Sequence, residues 1–363
     1  MYKIMCLSDR LGFRGGAERQ LSGLTYFLQN AGYDVRAVTY LKQSHPSPLE
    51  LNYGMSYTCL DASNIFSKLF KVGRYIRKNK VDVVIAYKNG PAKLCCILKL
   101  LGLRFKLVVS ERNTTQRVKG ERMKFFLYRF ADAIVPNSYS QSEFIVRNYS
   151  HLAKKVTTIV NFVDIDKFIP AEVHSAKAQN CIVVASIKAQ KNPLNFIKAV
   201  KLMKEAKLNL HIDWYGSIND EDLYRQCLKL ISELDVGDYI AIKPASTEIH
   251  KEYPRYDFSC LPSLFEGFPN TLCEAMSCGL PVLASEVCDN PFIVEYGKYG
   301  KLFNPESPES IANAFKEFLD EPVTDVLEQG EANRQRMIQL CSEKAFTDSY
   351  IELIGILMKD KHF

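Results

Sequence analysis

The sequence predicts an α/β protein made of two parallel sheets, each covered by helices. Short β-rich apolar runs alternate with amphipathic stretches along the chain, which is typical of strand–helix–strand units. The alternation occurs twice, before and after residues 168–180, a stretch without a strong period that contains Pro170. With 363 residues, the chain is long enough to bury two cores. We therefore expect a domain over 1–165 and another over 170–343.

The elements of the first half follow from this alternation. Strands are predicted at 2–8, 34–40, 81–87, 105–110, 132–137 and 156–160. Helices are predicted at 16–31, 63–80, 91–102, 119–130 and 139–149. Gly32 is placed to end the first helix, because glycine readily adopts the left-handed conformation found there.

The second half repeats the same scheme. Strands are predicted near 180–187, 208–216, 238–243, 257–262 and 280–285. Helices are predicted near 192–206, 220–234, 270–278, 307–320 and 344–359. Two α/β halves of similar size are expected to face each other across a cleft that closes on a substrate.

Composition and charge restrict the function classes. Hydrophobic residues make up 47% and charged residues 24%, which is typical of a soluble globular protein. No apolar run approaches the ~20 residues of a membrane span. The eleven cysteines lack metal-type spacing and are expected to be reduced core residues.

The net charge of +6 is unevenly placed. Residues 1–165 carry 26 Lys and Arg against 11 Asp and Glu, whereas the remainder carries 21 against 30. The first half is therefore +15 and the second −9. This asymmetry indicates that the first half meets an anionic surface or acceptor, unless its basic residues only keep surface helices soluble.

Glu266 and Glu274 are the most informative pair. They lie on a predicted strand, loop and helix, at the edge of the sheet where open α/β proteins bind ligands. The helix N-terminus at residues 270–272 would direct amides toward a diphosphate, while carboxylates suit sugar hydroxyls. These features favour a nucleotide sugar as ligand. Alternatively, Glu274 closes a capping box with Thr271, and Glu266 is a solvated turn residue.

This segment resembles the Glu-x7-Glu signature of the retaining family 4 glycosyltransferases, which have the GT-B fold. The matching positions are Pro262-Ser263, Glu266-Gly267, Glu274-Ala275-Met276 and Gly279-Leu280-Pro281-Val282. Weaker matches lie at Gly15-Gly16-Ala17-Glu18, residues 131–135, residues 161–164 and Gln190-Lys191-Asn192. The resemblance implies two Rossmann-like domains facing across a cleft, with the last helix, 344–363, packed back on the first domain.

The resemblance also implies roles for individual residues. Glu266 is expected to be catalytic, since it would contact the donor sugar where the reaction occurs, and Glu274 would hold the ribose. The other expected donor-binding residues are Gly15, Gly16, Ser186, Lys188, Lys191, Gly267, Asn270, Thr271 and Leu272. Ser186 occupies the position where the family commonly has an arginine, so Lys188 would supply the missing charge, or Lys191 and the amides would suffice.

The acceptor is expected on the first half, at the ends of its strands. Candidate contacts are Lys88, Asn89, Glu111, Arg112 and Asn113. Many relatives have a histidine near residue 111, which this chain lacks. A local salt bridge is the alternative for Glu111 and its neighbours.

Two basic segments predict contact with an anionic membrane that carries a lipid-linked acceptor. One is the helix 63–80, with Lys68, Lys71, Arg74 and Lys78 away from its apolar stripe. The other mixes cations with aromatic residues: Arg117, Lys119, Arg122, Lys124, Phe125, Phe126, Tyr128 and Arg129. A basic surface over an aromatic core is the alternative for the second segment.

These features predict a cytoplasmic, peripherally attached glycosyltransferase at the inner membrane. It would move a hexose or N-acetylhexosamine, with retention, from a UDP-sugar to a hydroxyl of a glycan or lipid-linked glycan in surface polysaccharide synthesis. The family's mechanism implies front-face substitution, in which the leaving phosphate helps to deprotonate the acceptor. We identify no Asp-x-Asp motif of the kind that holds a divalent metal in another glycosyltransferase fold, so no metal is expected, and neither is a cofactor or a nucleic-acid partner.

Two other classes stay open. One is a different nucleotide-sugar enzyme of the same architecture, such as a 2-epimerase, which the histidine-poor loops disfavour. The other is a non-catalytic nucleotide-sugar-binding partner of an assembly complex, which the intact glutamate pair disfavours.

Overall fold

A computed structural model describes residues 2–12, 16–112, 121–171 and 179–359. The chain divides into two compact units. Unit 1 holds residues 2–162 and 343–359, and unit 2 is the continuous segment 163–342. The sequence predicts that the first domain ends at residue 165 and that the second begins at residue 170.

Unit 1 contains a six-stranded parallel sheet in the order β3-β2-β1-β4-β5-β6. Its strands are β1 (Lys3–Ser8), β2 (Asp34–Thr39), β3 (Thr58–Cys59), β4 (Val83–Tyr87), β5 (Lys106–Glu111) and β6 (Ala133–Pro136). Its helices include α1 (Gly16–Asn30), α2 (Pro48–Tyr53), α3 (Ile65–Asn79), α4 (Asn89–Leu100), α5 (Arg122–Leu127) and α6 (Tyr139–Asn148). The central strands β1 and β4 are buried almost throughout, because helices cover both faces of the sheet.

The structure corrects the predicted elements of unit 1 at three places. The strand expected at 156–160 is wrong, since only an isolated bridge joins Val156 to Ile134. Neither α2 nor β3 was expected. The first is a six-residue helix started by a capping box between Ser47 and Glu50, and the second has two exposed residues. Segments this short carry too little hydrophobic periodicity to be recognised.

Unit 2 contains a second six-stranded parallel sheet, in the order β12-β11-β10-β7-β8-β9. Its strands are β7 (Asn180–Val184), β8 (His211–Gly216), β9 (Ile240–Pro244), β10 (Phe258–Leu261), β11 (Val282–Ser285) and β12 (Lys301–Phe303). Its helices are α7 (Pro193–Glu205), α8 (Glu221–Glu233), α9 (Ile249–Glu252), α10 (Asn270–Ser277), α11 (Asn290–Ile293), α12 (Pro308–Leu319) and α13 (Val323–Cys341). The core is rich in aromatic side chains, with Trp214, Phe196 and Phe315 fully buried.

The helix α13 was not expected, because its sequence shows no clear apolar stripe. It is held instead by polar contacts and close backbone packing. Arg334 donates a 2.9 Å hydrogen bond to the Phe168 carbonyl, and Asn333 donates one of 2.8 Å to the Leu280 carbonyl. A Cβ atom on Gly330 would lie only 2.2 Å from the Gly279 carbonyl oxygen, so only glycine permits this approach.

The last helix, α14 (Glu343–Lys359), belongs to unit 1 and packs against α1. It buries Phe346, Tyr350 and Ile354 in the same core cluster as Leu24 of α1. The packing expected for residues 344–363 is seen as far as 359, and residues 360–363 lie outside the described part. Within the described residues, no helix is both long and apolar enough to cross a bilayer.

Candidate functional site

Each sheet has a point between two central strands where the order of the strands reverses, here called the reversal point. In unit 2 the neighbours β7 and β10 are central, and the chain leaves them toward opposite edges of the sheet. In unit 1 the equivalent neighbours are β1 and β4. Open parallel sheets bind ligands beyond the carboxyl ends of such strands, because the loops diverge there and leave a crevice. Most of the residues singled out in the sequence lie on the loops that follow these four strands.

In unit 2, Lys191 and Glu266 form an ion pair between the loops that follow β7 and β10. Both side chains are largely buried, with exposed fractions of 14% for Lys191 and 7% for Glu266. Glu266 is therefore not the solvated turn residue of the alternative hypothesis. The structure brings together the cation expected at the diphosphate and the carboxylate expected at the donor sugar.

Two hydrogen bonds beside this ion pair fasten the loops to each other. The Leu264 amide donates a 2.9 Å bond to the Gln190 carbonyl, and the Gln190 side chain donates a 2.7 Å bond to the Phe265 carbonyl. The Glu266 amide also points to the Cys288 sulfur at 3.4 Å. The positions of the two charged residues are thus set by backbone contacts as well as by their own attraction.

Glu274 lies in the second turn of α10 and is buried. The helix begins at Asn270, and the residue before it, Pro269, makes no side-chain cap. The capping box between Thr271 and Glu274 is therefore not formed, because Thr271 lies inside the helix. The burial of this carboxylate needs another explanation than helix capping.

The amides of residues 270–272, at the start of α10, were expected to be directed toward a diphosphate, but two of them make hydrogen bonds within the protein. The Asn270 amide donates a 3.0 Å hydrogen bond to the Phe268 carbonyl, and the Leu272 amide donates one of 3.1 Å to the Pro269 carbonyl. These two groups are already used within the turn that starts the helix. Of the three residues, Thr271 lines a pocket of unit 2 beside Lys191.

That pocket has a volume of about 240 Å³. Its lining includes Ser186, Lys191, Tyr215, Gly216, Ser246, Ile249 and Thr271. The volume lies below the ~300–1,000 Å³ of sites that enclose a drug-sized ligand, so it suits part of a ligand. A Cβ atom on Gly216 would lie 1.9 Å from the Ala185 carbonyl oxygen, so glycine is required where β8 approaches the loop after β7.

The remaining donor-side candidates are placed as follows. Ser186 lines the pocket, and Lys188 is half-buried and precedes the short 3-10 turn Ala189–Lys191. Gly267 follows Glu266 on the same loop and is half-buried. Gly16 is the first residue of α1 in unit 1, and Gly15 lies outside the described residues.

Unit 1 carries a similar ionic cluster at its own reversal point. Lys88 follows β4 and pairs with Asp9, which follows β1, at 3.0 Å and with Glu18 in the first turn of α1. Burial alone would lower the pKa of Lys88, but Glu18 and Asp9 raise it above its usual value. Burial would likewise raise the pKa of Asp9, but the Lys88 ammonium lowers it. Lys88 and Asp9 are therefore both charged at neutral pH.

Lys88 is held in an unusual backbone conformation, with a φ of 71°. Asn89 follows it as the first residue of α4. Asp9 was missed in the sequence, although its place directly after the first buried strand was a usable signal.

Glu111 does not act as the free contact that was expected. Its carboxylate lies 3.0 Å from the Lys124 ammonium, both side chains are fully buried, and the Tyr128 hydroxyl donates a 3.1 Å hydrogen bond to it. Glu121 holds the same ammonium at 2.9 Å. The salt-bridge alternative is therefore correct for Glu111.

Arg112 is likewise engaged within unit 1. Its guanidinium donates to Ser110 at 2.7 Å, to Asn161 at 2.6 Å, and to the hydroxyls of Tyr87 and Tyr350 at 3.2 and 3.1 Å. These bonds use four of its five donors, which leaves little capacity for an acceptor. Asn113 lies outside the described residues.

Two family models match the chain. The model described as Glycosyltransferase Family 4 matches residues 14–167, and the one described as Glycosyl transferases group 1 matches residues 164–339. Together they span nearly all of both units. The chain belongs to glycosyltransferase family 4. In this family 4 glycosyltransferase, the Glu-x7-Glu pair lies on the loop and helix that follow β10, beside the loop that follows β7.

Relatives of this glycosyltransferase include two bacterial glycosyltransferases. It is 25% identical over 227 residues to the N-acetylgalactosamine-N,N'-diacetylbacillosaminyl-diphospho-undecaprenol 4-alpha-N-acetylgalactosaminyltransferase of Campylobacter jejuni. That match covers 60% of this chain and 60% of the relative, which is less than two thirds of its length. It is also 22% identical over 330 residues to the amylovoran biosynthesis glycosyltransferase AmsD of Erwinia amylovora, covering 86% of this chain and 91% of AmsD.

Solved structures confirm the expected fold. Anabaena HepE in complex with UDP is similar with a TM-score of 0.84 and 15% identity, covering 98% of this chain and all of that one. A glycosyltransferase from Rickettsia africae also gives 0.84, with 16% identity and 99% of each chain covered. Each unit is Rossmann-like, and the chain has the GT-B fold.

Proposed function

We propose that this protein transfers a hexose or N-acetylhexosamine from a UDP-sugar to a hydroxyl of a glycan or lipid-linked glycan, with retention, in surface polysaccharide biosynthesis in the cytoplasm. The observation that carries the proposal is the Lys191–Glu266 ion pair beside the pocket of unit 2. A cation, a carboxylate and a small pocket at one reversal point complement the diphosphate, the sugar hydroxyls and the nucleoside of such a donor.

The names of similar proteins support this class of donor and acceptor. The Campylobacter relative acts on a glycan linked to diphospho-undecaprenol, and HepE was solved with UDP. AmsD is a glycosyltransferase of amylovoran biosynthesis.

The donor diphosphate would bind Lys191 and draw its ammonium away from Glu266. Glu266 would then be released to accept hydrogen bonds from the donor sugar, while Glu274 would accept hydrogen bonds from the ribose. Since Ser186 replaces the arginine common in the family, Lys191 and its neighbour Lys188 would supply the positive charge for the leaving diphosphate. The leaving phosphate oxygen would take the proton of the acceptor hydroxyl as the new bond forms on the same face of the sugar.

Two experiments test the proposal. In the first, thermal shifts with UDP, GDP, ADP and their sugars identify the base, since a ligand at ~100 times its Kd stabilises the fold by about 2.7 kcal/mol. In the second, purified protein is incubated with the selected donor and glycan acceptors, and NMR determines the anomeric configuration of the product. Repetition with a chelator tests the expected independence from metal.

An inverted product would contradict retention. A sugar released as its 2-epimer would favour the epimerase class. Donor binding without transfer to any acceptor would favour the non-catalytic partner.

A further inference from the structure

Three neighbouring helices of unit 1 expose large apolar side chains to solvent. Phe66 on α3 is 80% exposed and Met123 on α5 is 70% exposed. The full set, here called the apolar ridge, is Phe66, Phe70, Leu100, Leu101, Met123 and Phe126. The three helices lie side by side, since α3 packs on α4, and α4 packs on α5. Single exposed apolar residues are ordinary, but a group of this size marks an interaction surface.

A groove of about 530 Å³ lies within this region, between α3 and the end of α4. Its lining is both apolar and basic: Phe66, Leu69, Phe70, Gly73, Arg74, Arg77, Lys78, Leu98, Leu101 and Leu103. The aromatic residues and the cations therefore lie on one surface and not on opposite faces of the helix.

The three helices contribute charge of one sign to this surface. The sequences of α3, α4 and α5 contain no aspartate or glutamate. The exposed cations next to the apolar ridge are Arg74, Arg77, Lys78, Arg104, Arg122 and Arg129. The guanidinium of Arg129 lies 5.1 Å from the centre of the Phe126 ring, which joins the charge to the ridge.

This composition revises the basic faces that the sequence suggested. Lys68 lies over the Tyr40 ring at 5.0 Å, and Lys71 donates a 2.6 Å hydrogen bond to the Asp61 carbonyl. Lys124, Phe125 and Tyr128 are buried, so they belong to the core and not to a docking surface. Arg77 and Phe66, which the sequence did not single out, belong to the surface.

We propose that the apolar ridge and the cations around it dock unit 1 on an anionic lipid bilayer. Exposed aromatic and aliphatic side chains would enter the boundary between headgroups and acyl chains, and the arginine and lysine side chains would bind lipid phosphates. A second copy of the same chain is disfavoured as the occupant, since it would bring two cationic faces together. The proposal goes beyond the proposed function, and because its test measures binding, it fails independently of transferase activity.

The first test is co-sedimentation with vesicles. The full chain should bind vesicles of phosphatidylglycerol and phosphatidylethanolamine at low salt, and phosphatidylcholine vesicles much more weakly. Salt should release it, because the Debye length shrinks from ~10 Å at 0.1 M to ~3 Å at 1 M. Binding that is absent at low salt, or equal for both vesicle types, would overturn the proposal.

Two pairs of variants separate the apolar and the charged contributions. The double change Arg77→Gln and Lys78→Gln should weaken binding about 30-fold, at ~1 kcal/mol for each cation near an anionic surface. The double change Phe66→Ser and Phe70→Ser should weaken it at least as much, since it removes both aromatic anchors of α3.

Matched controls come from exposed positions of unit 2. Arg225→Gln with Lys229→Gln, and Leu228→Ser with Leu327→Ser, remove the same kinds of side chain from the surface. Vesicle binding should be unchanged in both controls. An equal loss in controls and ridge variants would overturn the proposal.

A tryptophan at the ridge reports insertion directly. The only natural tryptophan, Trp214, is fully buried in unit 2. Phe66→Trp should therefore add a fluorescence signal that shifts to the blue and is quenched by brominated lipids, whereas Leu228→Trp should not respond. If sedimentation showed a dimer that Phe66→Ser with Phe70→Ser dissolves, the ridge would be a protein interface and the bilayer proposal would be wrong.

Discussion

Lys191 and Glu266 pair with each other between the loops that follow β7 and β10 of unit 2, and both side chains are largely buried. On the proposed function, a donor diphosphate would therefore compete with the Glu266 carboxylate for one ammonium group. We expect the ion pair to keep both groups in place before the donor binds, and to exchange for a Lys191–phosphate contact when it does. The predictions for these two residues follow from that competition.

Glu266→Gln should reduce transfer by at least about 100-fold, the scale of losing one group that stabilises charge in a transition state. The fold should survive, because glutamine is nearly isosteric and its amide oxygen can accept a hydrogen bond from Lys191. Affinity for UDP should rise, since no carboxylate competes for the ammonium. Product formation, calorimetry and a melting curve measure the three effects. Near-normal turnover would contradict a catalytic role for Glu266. Weaker UDP binding would contradict competition between Glu266 and the diphosphate for Lys191.

Lys191→Met should weaken binding of UDP far more than binding of uridine, because only the diphosphate loses a partner. It should also destabilise unit 2 by about 3 kcal/mol, since Glu266 is left as a buried charge without its cation. The double variant Lys191→Met with Glu266→Gln should recover much of that stability without recovering transfer. Calorimetry with both ligands and urea unfolding test these effects; equal losses for UDP and uridine would contradict the phosphate contact.

Glu274→Gln should weaken nucleotide binding by about 1.5–3 kcal/mol, the usual worth of a hydrogen bond to a charged group. The helix α10 should remain, because its start at Asn270 does not use the Glu274 side chain as a cap. Calorimetry with UDP and with UMP checks the loss, and both ligands should be affected alike if the ribose is the partner. Unchanged affinity with a lowered melting temperature would instead give Glu274 a structural role.

Arg112→Lys should destabilise unit 1 by about 2–4 kcal/mol, because lysine cannot reproduce four directed hydrogen bonds to Ser110, Asn161, Tyr87 and Tyr350. Urea unfolding measures the change. The exposed Arg104→Lys is the matched control and should have almost no effect. If Arg112→Lys left stability intact but raised the KM for the acceptor, Arg112 would be an acceptor contact after all.

The strand–helix alternation was sufficient to predict five of the six strands of each sheet, because long amphipathic helices and buried strands carry strong periodicity. The short strands β3 and β12 were not expected. The same reasoning failed for α13, where glycine packing and the polar contacts of Arg334 replace an apolar stripe. It also failed for 156–160, a β-rich run that pairs with the sheet through one bridge.

The candidate site was also predicted only in part. The sequence identified Glu266 and Glu274 from their places after a predicted strand, and the resemblance to family 4 glycosyltransferases added Lys191. Which residues pair could not be predicted, because the contact of Lys191 with Glu266 joins loops 75 residues apart. Arg112 was predicted to contact the acceptor for the same reason, since Tyr350, one of its hydrogen-bond partners, lies 238 residues further along the chain.

Unit 2 is a single uninterrupted insertion into unit 1, and its two ends meet. The Val163 amide donates a 2.8 Å hydrogen bond to the Cys341 carbonyl, so the first and last residues of unit 2 lie close together. An insertion with adjacent ends can be cut out or exchanged as a cassette, because a short linker can then rejoin the flanking segments. The equivalent units of related glycosyltransferases could therefore be grafted between residues 162 and 343, while α14 continues to complete the helical cover of the unit 1 sheet.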